Sequence, residues 1–366
     1  MTTIELFRVG VSARTTWWFL RLRTPHGTGL GECSDAGPTA ALVQEVREVA
    51  AVIGDRDPVA HRADVVADLA ARARSRHGGY AHLAATVLGG LDQALVDIAA
   101  TVDGVPAWKW LGGQDMRSIP LYANINRVMG GRTPYDVAAT ARRAVADGFR
   151  AVKCAPFDVD VPGTPLAEAG LDRLRAVRHA VDDDIDVLAD FHEHLTWAEV
   201  TALLPHLADL RLGWLEDVVP LTAVDRLLEL RAHTDALIAG GELVFDPADA
   251  RPAVDAGAVD VLMPDIKHIG GPCRALDLAE TFPSVRIAPH NPSGPVGTLA
   301  AAHLLAATPN GTLLEYAYGE VPWRSDVVRG AEVVRDGHLL LGDAPGFGLD
   351  LDTDHPAVRL TASTTP

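Results

Sequence analysis

The chain is poor in cysteine, in positive charge and in long uncharged apolar runs, and each shortage removes a class of protein. Cys33, Cys154 and Cys273 are odd in number and widely spaced, which argues against a disulfide framework and against a cysteine-built zinc site. Lys plus Arg number 32 against 49 Asp plus Glu, a formal charge of −17. A chain this acidic is a poor match for nucleic acid or an anionic membrane surface. No uncharged apolar run approaches the roughly 20 residues that span a bilayer. The opening Met1-Thr2-Thr3-Ile4-Glu5 stretch has no basic segment leading into an apolar one, so no secretory signal is expected and the expected setting is cytoplasmic. No Gly-x-Gly-x-x-Gly follows the early strands, which weakens a doubly wound, dinucleotide-binding sheet.

What is present is ample apolar content, 48% of 366 residues, enough for one large domain and a smaller one. Residues 4–9, 16–23 and 27–32 read as an antiparallel meander, with Ser12-Ala13-Arg14 as its first turn. Trp17 and Trp18 are expected in or beside that loop, closing over a small ligand or packing on a neighbouring element. Residues 39–73 are Ala-rich and helical in period, broken at Gly54–Pro58, and Leu83, Val87, Leu91, Leu95 and Ile98 mark a strong helix over 82–103.

From Ile119 the pattern becomes strand–helix alternation. Strands are expected at 119–124, 149–154, 185–190, 212–216, 237–242, 259–264, 285–289 and 313–315, with seven helices between them. Eight parallel strands close naturally into a barrel whose active site lies at their C-terminal ends. The expected fold is therefore α/β, a (β/α)7β modified TIM barrel over 116–318. An α+β capping domain over 1–115 is expected to receive the 319–366 tail, which packs back on it.

Asp190, Glu216 and Glu242 each close a short apolar run, and successive acids are 26 residues apart, about one βα unit. Three carboxylates converging at strand ends repel unless a cation sits between them. Oxygen donors alone favour Mg²⁺ over Zn²⁺. The other strand ends carry Lys153, His192, Asp265, His290 and Glu315. Eight ionisable groups on one apolar rim are costly unless used, which marks the rim as catalytic.

The stretches Gly29-Leu30-Gly31-Glu32, Leu91-Asp92-Gln93-Ala94-Leu95, Leu111-Gly112-Gly113, Asp190-Phe191-His192, Trp214-Leu215-Glu216-Asp217, Gly241-Glu242 and Ala288-Pro289-His290-Asn291-Pro292-Ser293-Gly294-Pro295, in that order, resemble the mandelate racemase branch of the enolase superfamily across nearly the whole chain. The resemblance implies one Mg²⁺ on Asp190, Glu216 and Glu242. It implies His290 as the base that takes a proton from the carbon beside a substrate carboxylate, with Asp265 as its partner. It implies that Glu315 donates a hydrogen bond to that carboxylate while protonated, on a raised pKa.

Plain racemases of this branch carry Lys-x-Lys after strand two. Here the stretch is Lys153-Cys154-Ala155, which argues against two-base racemisation and leaves Lys153 as a cationic partner of the substrate. His192 stands where galactonate-type acid sugar dehydratases carry a general acid, with His194 as a rival for the role. Asn124 and Arg127 are candidates for hydroxyls or a distal carboxylate, and Trp17, Trp18 and His26 for a lid, with Trp323 and Arg324 as further candidates to reach the rim. The expected function is an Mg²⁺-dependent dehydratase of an acid sugar, a small-molecule carboxylate, working as a homo-oligomer. The alternatives are an epimerase, racemase or cycloisomerase with the same proton abstraction, a cyclitol included among its substrates, and a catalytically silent binding protein, which the intact acid and histidine set opposes.

Overall fold

The computed structural model describes residues 2–366 apart from Arg14, Asp115, Met129, Gly130 and Ala331, with Tyr80 described by its backbone only. Arg14 of the expected first turn therefore lies outside the described residues. Strands β1 (Thr3–Gly10), β2 (Thr16–Thr24) and β3 (Gly27–Glu32) form the antiparallel meander. Val358–Thr364 joins it along β1, so the end of the chain returns to its beginning. Helix Gly79–Val102 lies across β3 at backbone contact distance. A Cβ on Gly29 would stand 2.1 Å from the Ala94 carbonyl oxygen, and one on Gly31 1.9 Å from that of Gly90. Glycine at both positions is what lets helix and strand meet so closely. Among the described residues this is the one helix long and apolar enough to cross a membrane, and 94% of its apolar window is buried inside the fold, as in the core helix of a globular protein.

Eight parallel strands follow: β4 (Ser118–Asn124), β5 (Ala151–Cys154), β6 (Asp186–Asp190), β7 (Trp214–Glu216), β8 (Leu237–Gly240), β9 (Val261–Leu262), β10 (Arg286–Ile287) and β11 (Leu314–Ala317). They pair in sequence order, and β11 pairs back with β4 in parallel. Between β10 and β11 the contact is a single bridge, where Ile287 exchanges backbone hydrogen bonds with Asn310 and Thr312. Seven helices alternate with these strands, from Pro134–Ala146 to Pro295–Ala307. This is the α/β arrangement of a (β/α)7β barrel.

Several strands are shorter than expected, because the runs over 259–264 and 285–289 leave the ladder after two residues. The interior is filled by Tyr122, Ala151, Leu188, Trp214, Ala239, Val261, Met263 and Ala288, one small cluster inside the ring of strands. Tyr122 and Trp214 meet edge to face, with ring centroids 5.2 Å apart.

The tail does not simply fold back on the N-terminal sheet. His338–Leu340 pairs antiparallel with the start of β4, at the barrel's N-terminal end, before Val358–Thr364 reaches β1. Glu32 ties the meander to the barrel. Its two carboxylate oxygens accept the Gly294 and Gly297 amides at 2.7 and 2.8 Å, at the N-terminus of helix Pro295–Ala307. A buried anion there satisfies orphan amides and meets the positive end of the helix dipole.

Candidate active site

The ends of β6, β7 and β8 each turn through a left-handed residue. His192 and Glu193 have φ of 46° and 54°, Asp217 43° and Gly241 106°. Non-glycine residues enter this region at a cost, which the surrounding hydrogen bonds must hold. Glu193 N donates to the Asp217 carbonyl, and His194 N to that of Phe191. The turns leave Asp190 and Glu216 side by side in the β6–β7 register, and both are almost fully buried. Glu216, Asp217 and Glu242 each bring a carboxylate oxygen within 4.8 Å of the others. Asp217, given no role from the sequence, takes the third place in this group, and Asp190 stands outside it, facing Lys153 and His192.

The charges of this cluster are only partly balanced. Lys153 Nζ stands 2.7 Å from Glu216, 3.3 Å from Asp190 and 3.3 Å from Glu315. Burial, then Asp190, still pushes the Glu216 carboxyl well above the usual range, although Lys153 opposes the shift. Burial, Glu242 and Asp190 push Asp217 up to about 7. Burial also raises Asp190, but Lys153 and His192 outweigh it and hold that carboxyl well below the usual range. Glu242 goes the other way, held down to about 2 by His290. Glu216 and Asp217, pushed toward protonation first by burial and then by neighbouring carboxylates, are the acids that gain from a further cation. The donors are all carboxylate oxygens, the set a hard divalent ion such as Mg²⁺ takes. The residues present fit the ion expected from the sequence.

On one side of the acids stands His290, after β10. Its Nε2 is 2.9 Å from Glu242 and its Nδ1 3.0 Å from Asp265. Burial would lower its pKa, but Glu242, Glu315 and Asp265 raise it well above an ordinary histidine's. Asp265 Oδ2 also accepts from Lys267 Nζ at 2.7 Å, and Lys267 Nζ is 2.5 Å from Ser293 Oγ. Lys267, 0% exposed, thus holds the anion that holds the imidazole. It was not singled out from the sequence; its one signal was the Asp265-Ile266-Lys267 spacing, which looks like any polar pair.

On the other side stands His192. Its Nε2 is 3.0 Å from Asp190 and its Nδ1 2.7 Å from Asp158, on the loop after β5. Burial lowers its pKa, but Asp158 and Asp190 overcome this and raise it to about 10. Asp158 carried no signal in its Pro- and Gly-rich loop. Glu315 departs from expectation. It accepts from Asn291 N at 2.9 Å, Tyr122 Oη at 3.2 Å, Lys153 Nζ at 3.3 Å and Asn124 Nδ2. Burial raises its pKa, but Lys153, His290 and these donors bring the net shift down. The protonated, raised-pKa Glu315 expected from the resemblance is replaced by a carboxylate that orients four donors.

A cavity of about 450 Å³ opens over this rim, walled by Lys153, Asp190, His192 and His290. Asn124 and Arg127 line it, joined by Asn126 and Arg132, as do Ser12, Ala13 and Thr15 from the β1–β2 turn. The expected lid residues lie elsewhere. Trp17 and Trp18 are inside β2, not its loop. Trp17 is buried against Phe19 and Trp323, and Trp18 packs in the core of the meander and its helices. Strand alternation sends the two rings to opposite faces of the sheet, both of them covered. His26 is exposed in the β2–β3 turn, 2.5 Å from Asp57. Arg324 is buried on Glu332, the Ser293 carbonyl and Thr298, and Trp323 stacks toward His355. His194 is exposed and does not line the cavity, though its Nε2 is 3.3 Å from Asp158.

The model of the family described as enolase C-terminal domain-like matches residues 136–355, more than half the chain. The chain belongs to the enolase superfamily, in its mandelate racemase branch. It has solved counterparts of the same shape. A mandelate racemase/muconate lactonizing enzyme-like protein from Rubrobacter xylanophilus superposes with a TM-score of 0.87 at 30% identity, over 99% of this chain and 98% of that one. Among curated relatives, the D-xylonate dehydratase of Haloferax volcanii is 29% identical over 97% of this chain and 88% of its own length. The D-mannonate dehydratase of Caulobacter sp. is 30% identical over 91% and 88%.

Proposed function

We propose that this enolase superfamily chain is an Mg²⁺-dependent acid sugar dehydratase, a hydro-lyase acting on a small polyhydroxy carboxylate. The observation that carries the proposal is the pair of imidazoles facing one cavity from opposite sides of the acid cluster, His290 beside Glu242 and His192 beside Asp190. The names of the relatives, dehydratases of xylonate and mannonate, support the same reading.

Asp190, Glu216 and Glu242 would hold the Mg²⁺, with Asp217 beside Glu216 and Glu242. Bound there, the ion would stabilise negative charge building on the substrate carboxylate. His290 Nε2 takes the proton from C2. Asp265 keeps Nδ1 protonated and supports the imidazolium that forms, as Lys267 supports Asp265. Lys153 offers the carboxylate a fixed ammonium, held in place by Glu216 and Glu315. His192 delivers its proton to the C3 hydroxyl, the C3–O bond breaks and water leaves. The enol formed tautomerises to a 2-keto-3-deoxy acid. Asn124, Asn126 and Arg127 face the substrate hydroxyls. His192, which walls the cavity, is the better acid than the outlying His194. The protein is taken to work as a soluble homo-oligomer.

The test is a screen of acid sugars with added Mg²⁺, reading 2-keto-3-deoxy product and C2 exchange in D₂O. Release of keto product is the expected result. Exchange at C2 without loss of water would refute dehydration and favour an epimerase.

A further inference from the structure

Outside the acid cluster, at the outer lip of the cavity, three metal-binding side chains of a different kind come together. Asp158, His192 and His194 each place a ligand atom within 4.8 Å of the other two. Two of the separations are 2.7 Å, from Asp158 Oδ1 to His192 Nδ1, and 3.3 Å, from Asp158 Oδ1 to His194 Nε2. A tetrahedral ion with bonds of about 2.0–2.2 Å spaces its donors about 3.3–3.6 Å apart, so the His194 pair fits as it stands and the His192 pair, now at hydrogen-bond distance, has to open by less than about 1 Å. We propose that Asp158, His192 and His194 form a rim site for a borderline divalent transition metal, Zn²⁺ above all, separate from the all-oxygen cluster.

Three features make this a built site. First, both imidazoles hang from one pinned left-handed turn. His192 N donates to Asp190 Oδ1, Glu193 N to the Asp217 carbonyl and His194 N to that of Phe191. The rings stand edge to face with centroids 5.8 Å apart. Second, the ligands have supports of their own. His192 Nε2 faces Asp190 Oδ2 at 3.0 Å, which orients the ring with its Nδ1 edge toward Asp158, the edge a metal would take. Asp158 turns its other oxygen toward Arg132, 3.8 Å away, leaving Oδ1 to the two imidazoles. Third, Asp158 and His194 are exposed and His192 half-buried, so an ion can enter from solvent. Three protein ligands leave a position for water, as in open rather than structural zinc sites. Two nitrogens and one oxygen select against Mg²⁺ and for a softer ion.

Such an ion would switch the enzyme off. An ion on Nδ1 would hold the ring at the rim with its Nε2–H on Asp190, so that proton would not be presented to the C3 hydroxyl. This second half rests on the proposed function; the binding half does not.

The test is equilibrium dialysis of Zn²⁺ against Mg²⁺-saturated wild type, His194→Ala and Asp158→Asn, each checked for folding by its melting temperature. Wild type should bind one equivalent of Zn²⁺ more than either variant. At that site each variant should bind at least about tenfold more weakly, since even changes behind a ligand cost that much. Equal stoichiometry and affinity in all three proteins would overturn the site. In turnover, Zn²⁺ should inhibit wild type reversibly to chelator while each variant keeps its own Zn²⁺-free rate. An extra bound equivalent with undiminished wild-type turnover would overturn the inhibitory half. A chain that dehydrates nothing still yields the binding result, so the two readings fail separately.

Discussion

Lys267→Met tests the deepest layer of the site. The substitution keeps an unbranched stem in a fully buried slot and deletes only the ammonium, which stands 2.7 Å from Asp265 and 2.5 Å from Ser293. At an effective dielectric near 20, a pair at that distance carries roughly 6 kcal/mol of gross attraction. Desolvation of the ammonium, recovered when it is removed, cancels part of this. Breaking a buried pair typically costs about 3–5 kcal/mol, because one charge stays behind without its partner. Asp265 is 1% exposed and retains two donors, the Lys267 backbone amide at 2.8 Å and His290 Nδ1 at 3.0 Å.

The loss should therefore appear in two places. Urea unfolding should show the variant less stable by about 3–5 kcal/mol. The carboxylate will also lean harder on the imidazolium form of His290, so the rising limb of the kcat/KM pH profile should move to higher pH. A variant within about 1 kcal/mol of wild type, with an unmoved limb, would refute the chain from Lys267 through Asp265 to His290.

Three further outcomes follow from the same structure. His192→Asn should keep C2 deuterium exchange, which depends on His290, while dehydration falls by about 10²–10⁴-fold, the span of one general acid; parallel loss of both in a single-turnover assay would contradict the division of labour. Mg²⁺ at 100 times its dissociation constant should stabilise the fold by about 2.7 kcal/mol, read as a rise in melting temperature that EDTA reverses and that Glu216→Gln diminishes. His303 accepts the Trp108 amide on Nδ1, and burial depresses its pKa from 6.5 to about 4. Its folded-state pKa is the lower one, so the unfolded chain binds the extra proton. Its contribution is complete above pH 6.5 and is lost as the pH falls toward 4, by about 3 kcal/mol at about 1.4 kcal/mol per pH unit; urea midpoints for wild type and His303→Gln should converge across that window.

The sequence by itself determined the parts governed by period and local composition. Alternation of apolar strands with helical stretches gave eight strands and seven helices, because a buried parallel strand and an amphipathic helix each leave a one-dimensional pattern. The even spacing of Asp190, Glu216 and Glu242 carried them to neighbouring strand ends, since one βα unit has a narrow range of lengths. His290 and Asp265 were legible for the same reason, with the resemblance adding their pairing.

What needed the tertiary structure were contacts between residues far apart in the chain, and the direction in which side chains point. Trp17 and Trp18, in the strand expected over 16–23, were open between a lid and packing on a neighbouring element, and the covered faces of the sheet decide for packing. Glu315 was expected to be a proton donor; its charge was decided by four donors drawn from residues 122, 124, 153 and 291. Lys267, Asp217 and Asp158 acquired meaning only when folding set them against Asp265, Glu242 and His192. A carboxylate or an amine in a sequence has no fixed environment, and the fold decides its burial and its neighbours, and with them its charge and its chemistry.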